Sequence, residues 1–263
     1  MDLRGIESAR RGGRLTPADR LPAPGLRHRL LFALVIAQLG LVSLVWAGVA
    51  PLLSLLLPRR TRERIGRSAI SWIYRAGWAT AERLGMMEVD SSALDPLRDE
   101  PGGLIVAANH PAMYDAMVVV ARLPRGVCVM KAELVRNVFL GGGARLAGYI
   151  RNDSGRGMVR DSVACLKEGG QLVMFPEGTR TVRPPINPFK PGMTLIAQLA
   201  QVPIQTVIIE SDSPYLRKGW PLLRAPPAPV VIRVRLGRRF EPQADHRRLL
   251  RVLERYFAQE LGE

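Results

Sequence analysis

The chain has 263 residues, enough for one sizeable α/β domain with an appended element, and its 38 lysines and arginines against 23 acidic residues give a net charge of +15. That imbalance points to an anionic partner: nucleic acid, an anionic membrane surface or phosphorylated small molecules. The two cysteines, Cys128 and Cys165, sit in apolar settings outside any CxxC pattern, so neither a disulfide framework nor a thiolate metal site is expected.

Residues 1–29 are rich in Arg, Gly and Pro and poor in large apolar side chains, which predicts a basic disordered tail. From Leu30 to Leu57 the chain carries no charge at all and exceeds the roughly 20 residues that cross a bilayer core, so it reads as a membrane segment. Small residues at Ala47–Ala50 resemble a signal-peptide cleavage site, but the apolar run is too long and starts too far in. Pro51 leaves a straight span and a shallow re-entrant element both open. Arg20, Arg27 and Arg29 precede the segment and Arg59, Arg60, Arg62, Arg64 and Arg67 follow it, a slight lean toward a cytoplasmic C-terminal domain.

From Thr61 to Met87, Ile65, Ala69, Trp72, Ile73 and Ala76 recur at helical spacing among arginines. This is either a helix in the membrane interface or a surface helix of the following domain. Residues 30–87 are therefore expected to form a unit of membrane-embedded and interfacial helices, and 88–263 an α/β domain. Strands are expected at Leu104–Ala108, Val127–Met130, Gly148–Arg151, Gln171–Phe175, Ile204–Ile209 and Val230–Leu236. Helices are expected at Asp115–Arg122, Ala132–Phe139, Gly157–Lys167, Gly192–Gln201 and Asp245–Leu261. Strands alternating with helices imply a mostly parallel or mixed sheet covered by helices. "GGGARLAG" from Gly141 lacks the lysine and strand-first context of a phosphate loop.

Chemistry-bearing residues gather where these strands end, the usual location of sites in α/β sheets. His110 closes the run "LIVAA" and precedes Pro111, which ends the strand; Asp115 stands where the next helix begins. If the loop folds back, the Asp115 carboxylate can fix the tautomer in which the other imidazole nitrogen is a base. The plainer alternative is a structural histidine and a helix-capping aspartate. Glu177, Gly178, Thr179 and Arg180 follow a second strand, Lys131 a third, and Arg151 ends another. Their cations could converge on a phosphate or lie as ordinary surface charges.

"NHPAMYD" at Asn109, "KAEL" at Lys131, "GYIRND" at Gly148, "FPEGTR" at Phe175 and "VPI" at Val202 resemble, in order and spacing, the four blocks of the glycerolipid (lysophosphatidic acid or lysophospholipid) acyltransferases. The resemblance covers about residues 100 to 210. It implies transfer of a fatty acyl group from acyl-CoA or acyl carrier protein to a lysolipid hydroxyl, 1-acylglycerol-3-phosphate above all, with that thioester as co-substrate and no metal or organic cofactor. It further implies His110 as general base, Asp115 as its orienting partner, Lys131 and Arg180 as phosphate-binding cations, Arg151 in the acceptor block, and Glu177, Gly178 and Thr179 in the substrate-binding EGTR turn.

Three departures bear on the acceptor. Ala112 stands where the family usually has serine, Thr181 stands where serine usually follows EGTR, and "IRND" replaces a more apolar and acidic string. A non-phosphate acceptor, such as an ornithine lipid or aryl polyene lipid, stays open beside the phosphate-bearing one. So does a non-catalytic basic lipid-binding membrane protein. Nucleic acid fits poorly, because the arginines concentrate beside the apolar segment and aromatic residues make up only 6%. The expected location is a bacterial inner membrane with the catalytic domain facing the cytoplasm, where thioester donors are.

Overall fold

The structure is a computed structural model that describes residues 24–153 and 155–262; most of the expected basic tail, residues 1–23, lies outside the described residues. Helix α1 (Leu26–Leu56) starts four residues before the apolar run and continues through Pro51 without a break. Its 31 residues, at about 1.5 Å each, make a rod of about 46 Å that is long and apolar enough to cross a membrane. After two residues the chain turns back into α2 (Arg59–Arg83). The pair is antiparallel: Gln38 Nε2 donates to Thr80 Oγ1 at 3.2 Å, and Arg62 Nη1 to the Ser54 carbonyl at 3.0 Å.

The inner face of α2 differs from the one expected. Gly66, Ile70, Ser71, Ile73 and Ala81 are buried, while Trp72 is 61% exposed and Ile65 is also exposed. Close approach decides this, since a Cβ at Gly66 would lie 2.7 Å from the Ala147 backbone nitrogen. The face that carries Gly66, Ile70, Ser71, Ile73 and Ala81, not the tryptophan, therefore meets the domain.

Beyond α2 lie β1 (Met87–Asp90), a 3-10 helix (Ser92–Asp99), β2 (Leu104–Ala108), α3 (Asp115–Arg122), β3 (Gly126–Met130), α4 (Ala132–Val135), α5 (Gly141–Leu146) and β4 (Ile150–Arg151). They are followed by α6 (Arg156–Lys167), β5 (Gln171–Met174), α7 (Gly192–Ala200), β6 (Ile204–Ser211), β7 (Val230–Phe240) and α8 (His246–Gly262). The seven strands form one mixed sheet in the order β1-β7-β6-β2-β5-β3-β4, antiparallel only between β6 and β7. Alternation along β2 divides the core. Leu104, Val106 and Ala108 pack with α3 and the face that carries α1 and α2, while Ile105 and Ala107 pack with α7 and α8.

The single helix expected over Ala132–Phe139 is instead one turn, α4, followed by α5. Asn137 Oδ1 accepts the N–H groups of Phe139 (2.9 Å) and Leu140 (3.2 Å), which redirects the chain. The "GGG" run heads α5 because α1 crosses there: a Cβ at Gly142 would lie 2.7 Å from the Ala47 carbonyl oxygen. β1 and the 3-10 helix were not expected, and Met87 opens a strand where a helix end was expected.

Candidate active site

β2, β5, β3 and β4 are mutually parallel, so their C-terminal ends share one edge of the sheet. Asn109 anchors the loop after β2. Its Nδ2 donates to the Ile209 carbonyl of β6 at 2.8 Å and its Oδ1 accepts the Ile209 N–H at 2.7 Å. The chain then folds back as the His110-Pro111 sequence requires. Asp115 Oδ2 receives the Ala112 N–H at 2.8 Å and sits 2.9 Å from His110 Nδ1.

This pair is asymmetric. The Asp115 side chain is fully buried and that of His110 is 18% exposed. With Nδ1–H donating to the carboxylate, Nε2 carries the lone pair, the tautomer a base needs. Burial pushes the Asp115 carboxyl above its ordinary value, against the pull of the His110 and Ala112 hydrogen bonds. The imidazole is held flat against Phe175, with ring centroids 4.2 Å apart and planes 26° apart.

The "FPEGTR" turn clamps this loop. Thr181 N–H donates to the His110 carbonyl at 2.7 Å, and His110 N–H to Glu177 Oε1 at 3.1 Å. Glu177 has a different place from the substrate-binding one expected. It is 1% exposed, and its carboxylate also accepts Thr181 Oγ1 (2.7 Å) and the Asn187 N–H (2.8 Å). All its visible capacity goes to bracing the two loops. Gly178 takes φ +69°, lies under the Lys190 side chain, and spends its N–H on the Phe175 carbonyl at 2.9 Å. That N–H is therefore not available to an oxyanion. Thr179 is half-buried beside it.

The cations fall at graded distances from the dyad. Arg180 follows β5, directly beside β2, and its Nη1 donates to the Leu216 carbonyl at 2.9 Å. Lys131, exposed, follows β3, two strands from β2 and so about 10 Å across the sheet. Arg151 lies on β4, three strands or about 14 Å away, and pairs with Asp153 at 3.2 Å. The sheet brings Arg180 and Lys131 toward the dyad and leaves Arg151 at the margin. Among the described residues no cluster of three or more His, Cys, Asp and Glu side chains could hold a metal ion.

Next to the loop that carries the dyad lies an apolar cavity of about 170 Å³, walled by Ile36 of α1, Trp78 of α2, Met113 and Tyr114 of that loop, Met117 of α3, and Leu216. In the segment between β6 and β7, Tyr215 and Trp220 are buried, while Leu222 and Leu223 are exposed. His28 joins the start of α1 to this segment through a 2.7 Å hydrogen bond to the Pro226 carbonyl. Sequence reasoning missed Leu216, Asn187 and Lys190 as parts of the site. Of these only Lys190, in "NPFKPG" soon after the EGTR turn, carries a signal in its residue type.

A buried histidine–carboxylate pair at the strand ends of an α/β sheet, with cations to one side and an apolar cavity near the loop that carries it, is the arrangement of an α/β enzyme. Residues 89–210 match the model of the Acyltransferase family. Over 136 residues the chain is 29% identical to the 1-acyl-sn-glycerol-3-phosphate acyltransferase of Cocos nucifera, covering 49% of this chain and 44% of that one. Over another 136-residue match it is 32% identical to the enzyme of the same name from Limnanthes alba, covering 49% and 48%. The chain thus spans about half the length of these curated relatives. Its fold is similar to the crystal structure of the 1-acyl-sn-glycerophosphate (LPA) acyltransferase, PlsC, from Thermotoga maritima: TM-score 0.69 over 90% of this chain and 94% of that chain, at 19% identity.

Proposed function

We propose that the chain is a membrane-bound O-acyltransferase that moves a fatty acyl group from acyl-CoA or acyl carrier protein to the free hydroxyl of 1-acylglycerol-3-phosphate, giving phosphatidic acid. The observation that carries this reading is the 2.9 Å contact between His110 Nδ1 and the buried Asp115 carboxylate, which leaves Nε2 as a base on the accessible side. Intact geometry of this kind argues against a non-catalytic lipid-binding relative. The names of the matched relatives support the acceptor.

The chemistry follows from the groups present. Nε2 takes the hydroxyl proton as the oxygen attacks the thioester carbonyl, and Asp115 stabilises the imidazolium that forms. The tetrahedral intermediate collapses with cleavage of the C–S bond, and the imidazolium returns its proton to the leaving thiolate. Arg180 and Lys131 hold the acceptor phosphate, and the apolar cavity receives acyl chain. The α1 helix anchors the chain in the bilayer from which the acceptor comes, with the sheet on the cytoplasmic side where the donors are.

The test is acyl transfer from a long-chain acyl-CoA or acyl carrier protein to lysophosphatidic acid by detergent-solubilised protein, comparing wild type with His110→Ala. A general base contributes about 10²- to 10⁴-fold, so turnover should fall by that much while the variant keeps its fold. Equal rates would sink the mechanism. Wild-type turnover only on a phosphate-free acceptor would replace the proposed substrate.

A further inference from the structure

Shortly after Lys131, three apolar side chains stand in the open. Leu134, Val138 and Phe139 are exposed, Val138 to 66%. Isolated exposed apolar residues are ordinary, but these share one short segment, α4 and the turn into α5. The turn is held in shape, since Asn137 Oδ1 accepts the N–H groups of Phe139 and Leu140.

The patch continues into α1. A Cβ at Gly40 would lie 4.0 Å from Phe139 Cε1, and Leu44, one turn further on the same side of the helix, is exposed, as are Leu41 and Val45. Cations border it: Lys131, Arg136 and Arg145 are exposed in this stretch, against Glu133 as its one acid, and Arg145 Nη1 is turned back onto the Val135 carbonyl at 2.7 Å. An apolar centre with a cationic border matches an anionic bilayer surface, where apolar side chains enter the acyl region and cations meet headgroup phosphates. A protein partner would have to fit the uncharged outer face of α1 as well, which a bilayer covers without any specific fit.

We propose that the α4–α5 segment is a membrane-docking surface of the α/β domain itself, in which Leu134, Val138 and Phe139 enter an anionic leaflet and hold Lys131 at the level of the headgroups. Phe139 meets α1 near the middle of the helix and not at an end, so α1 lies along the bilayer surface at this segment. The functional half of the inference rests on the acyltransferase reading: Lys131 meets the acceptor phosphate in the plane where that phosphate already lies, and the lysolipid is acylated without leaving the bilayer.

The experiment reconstitutes the full chain into vesicles of phosphatidylcholine and phosphatidylglycerol, with an environment-sensitive fluorophore on Val138→Cys or on Leu199→Cys, in a Cys165→Ala background; Cys128 is buried. Leu199 is the control, because it is exposed but lies on α7, on the other face of the sheet. Lipids brominated near the headgroup should quench the probe at 138 and not the one at 199. An unquenched probe at 138 would overturn the inference, and so would shielding that needs no lipid and rises with protein concentration, the signature of contact between two copies of the chain. In kinetics, Val138→Glu should lower kcat/KM for long-chain lysophosphatidic acid in vesicles by about tenfold, the order expected when one apolar side chain is kept out of lipid, and leave turnover of a short-chain, water-soluble lysophosphatidic acid near wild type. Equal losses on both acceptors would overturn the inference by making the segment part of the site's own scaffold. No wild-type turnover on either acceptor would overturn the acyltransferase reading, while the quenching still decides the docking surface.

Discussion

Arg180 and Leu216 are joined by a 2.9 Å hydrogen bond from the guanidinium Nη1 to the backbone carbonyl, and the same carbonyl accepts the Met113 N–H at 3.1 Å. One oxygen thus ties the cationic turn, the loop after β2 and the segment that follows β6. Leu216 holds φ at +55°, a conformation unfavourable for a leucine, while its side chain is 7% exposed in the cavity wall. Removing the guanidinium should weaken phosphate binding and take one of two donors from the Leu216 carbonyl, which keeps the Met113 N–H. Arg180→Ala is expected to lower kcat/KM for lysophosphatidic acid by about 10- to 100-fold, as loss of a charge-assisted hydrogen bond implies. Arg180→Lys should recover little, because one ammonium cannot span phosphate and carbonyl. Steady-state kinetics on a phosphate-free lysolipid gives the contrast, since the loss there should be much smaller.

Asp115 opposes stability to function. Its carboxyl is raised by burial, so the charged form is less favourable in the folded chain than in the unfolded one. Its stabilising contribution is therefore full below the ordinary carboxylate range and is lost as pH rises through the raised folded value. Asp115→Asn removes that titration. Thermal melts should show the variant gaining on wild type as pH rises from about 4 toward 7. Activity should move the other way, because an amide stabilises neither the tautomer nor the imidazolium as a carboxylate does. A stability difference that does not change with pH would contradict the burial argument.

Glu177 supports the site from beneath. Glu177→Ala would leave the His110 N–H, the Asn187 N–H and the Thr181 hydroxyl without their acceptor in a buried setting. At about 1–3 kcal/mol for each unsatisfied group, with partial relaxation, a loss of about 2–4 kcal/mol is expected in urea unfolding. Glu177→Gln keeps an acceptor oxygen and should lose less. If both variants unfold like wild type, the carboxylate is not the brace between the two loops.

What was legible in the sequence followed local rules. His110-Pro111 must leave its strand, the parallel strands must end together, and the uncharged run from Leu30 must be a long apolar helix. His110, Asp115 and Arg180 stood out because residue type and expected strand-end position coincide, and the structure does place them beyond the ends of β2 and β5. What stayed hidden depended on contacts far apart in the chain. Leu216 enters through its carbonyl, which its side chain does not advertise, and the face of α2 was set by Gly66 against Ala147 and not by hydrophobic spacing. Glu177 looked like a substrate ligand because the sequence cannot show that Asn187 folds back onto it.

The docking of α1 onto the α/β domain rests on the absence of side chains at Gly142 and Gly143. A methyl group at Gly142 would meet the Ala47 carbonyl oxygen at 2.7 Å and the Ala47 Cα at 2.9 Å, both backbone atoms of α1 that cannot rotate aside. Helix propensity alone would favour Gly142→Ala by about 1 kcal/mol, since the residue lies within α5. Overpacking opposes it by about 1–3 kcal/mol and should win, because relief requires α1 itself to shift. Gly48→Ala is the matched control: it lies on the same helix beside Ala47 but faces open space, so only the propensity gain applies. The expected result is lower thermal stability for Gly142→Ala and equal or higher stability for Gly48→Ala. Displacement of α1 would also move Ile36 and Leu39 out of the cavity wall. Gly142→Ala should therefore reduce acyl transfer more with long-chain substrates than with short ones, which a chain-length series on both variants would reveal.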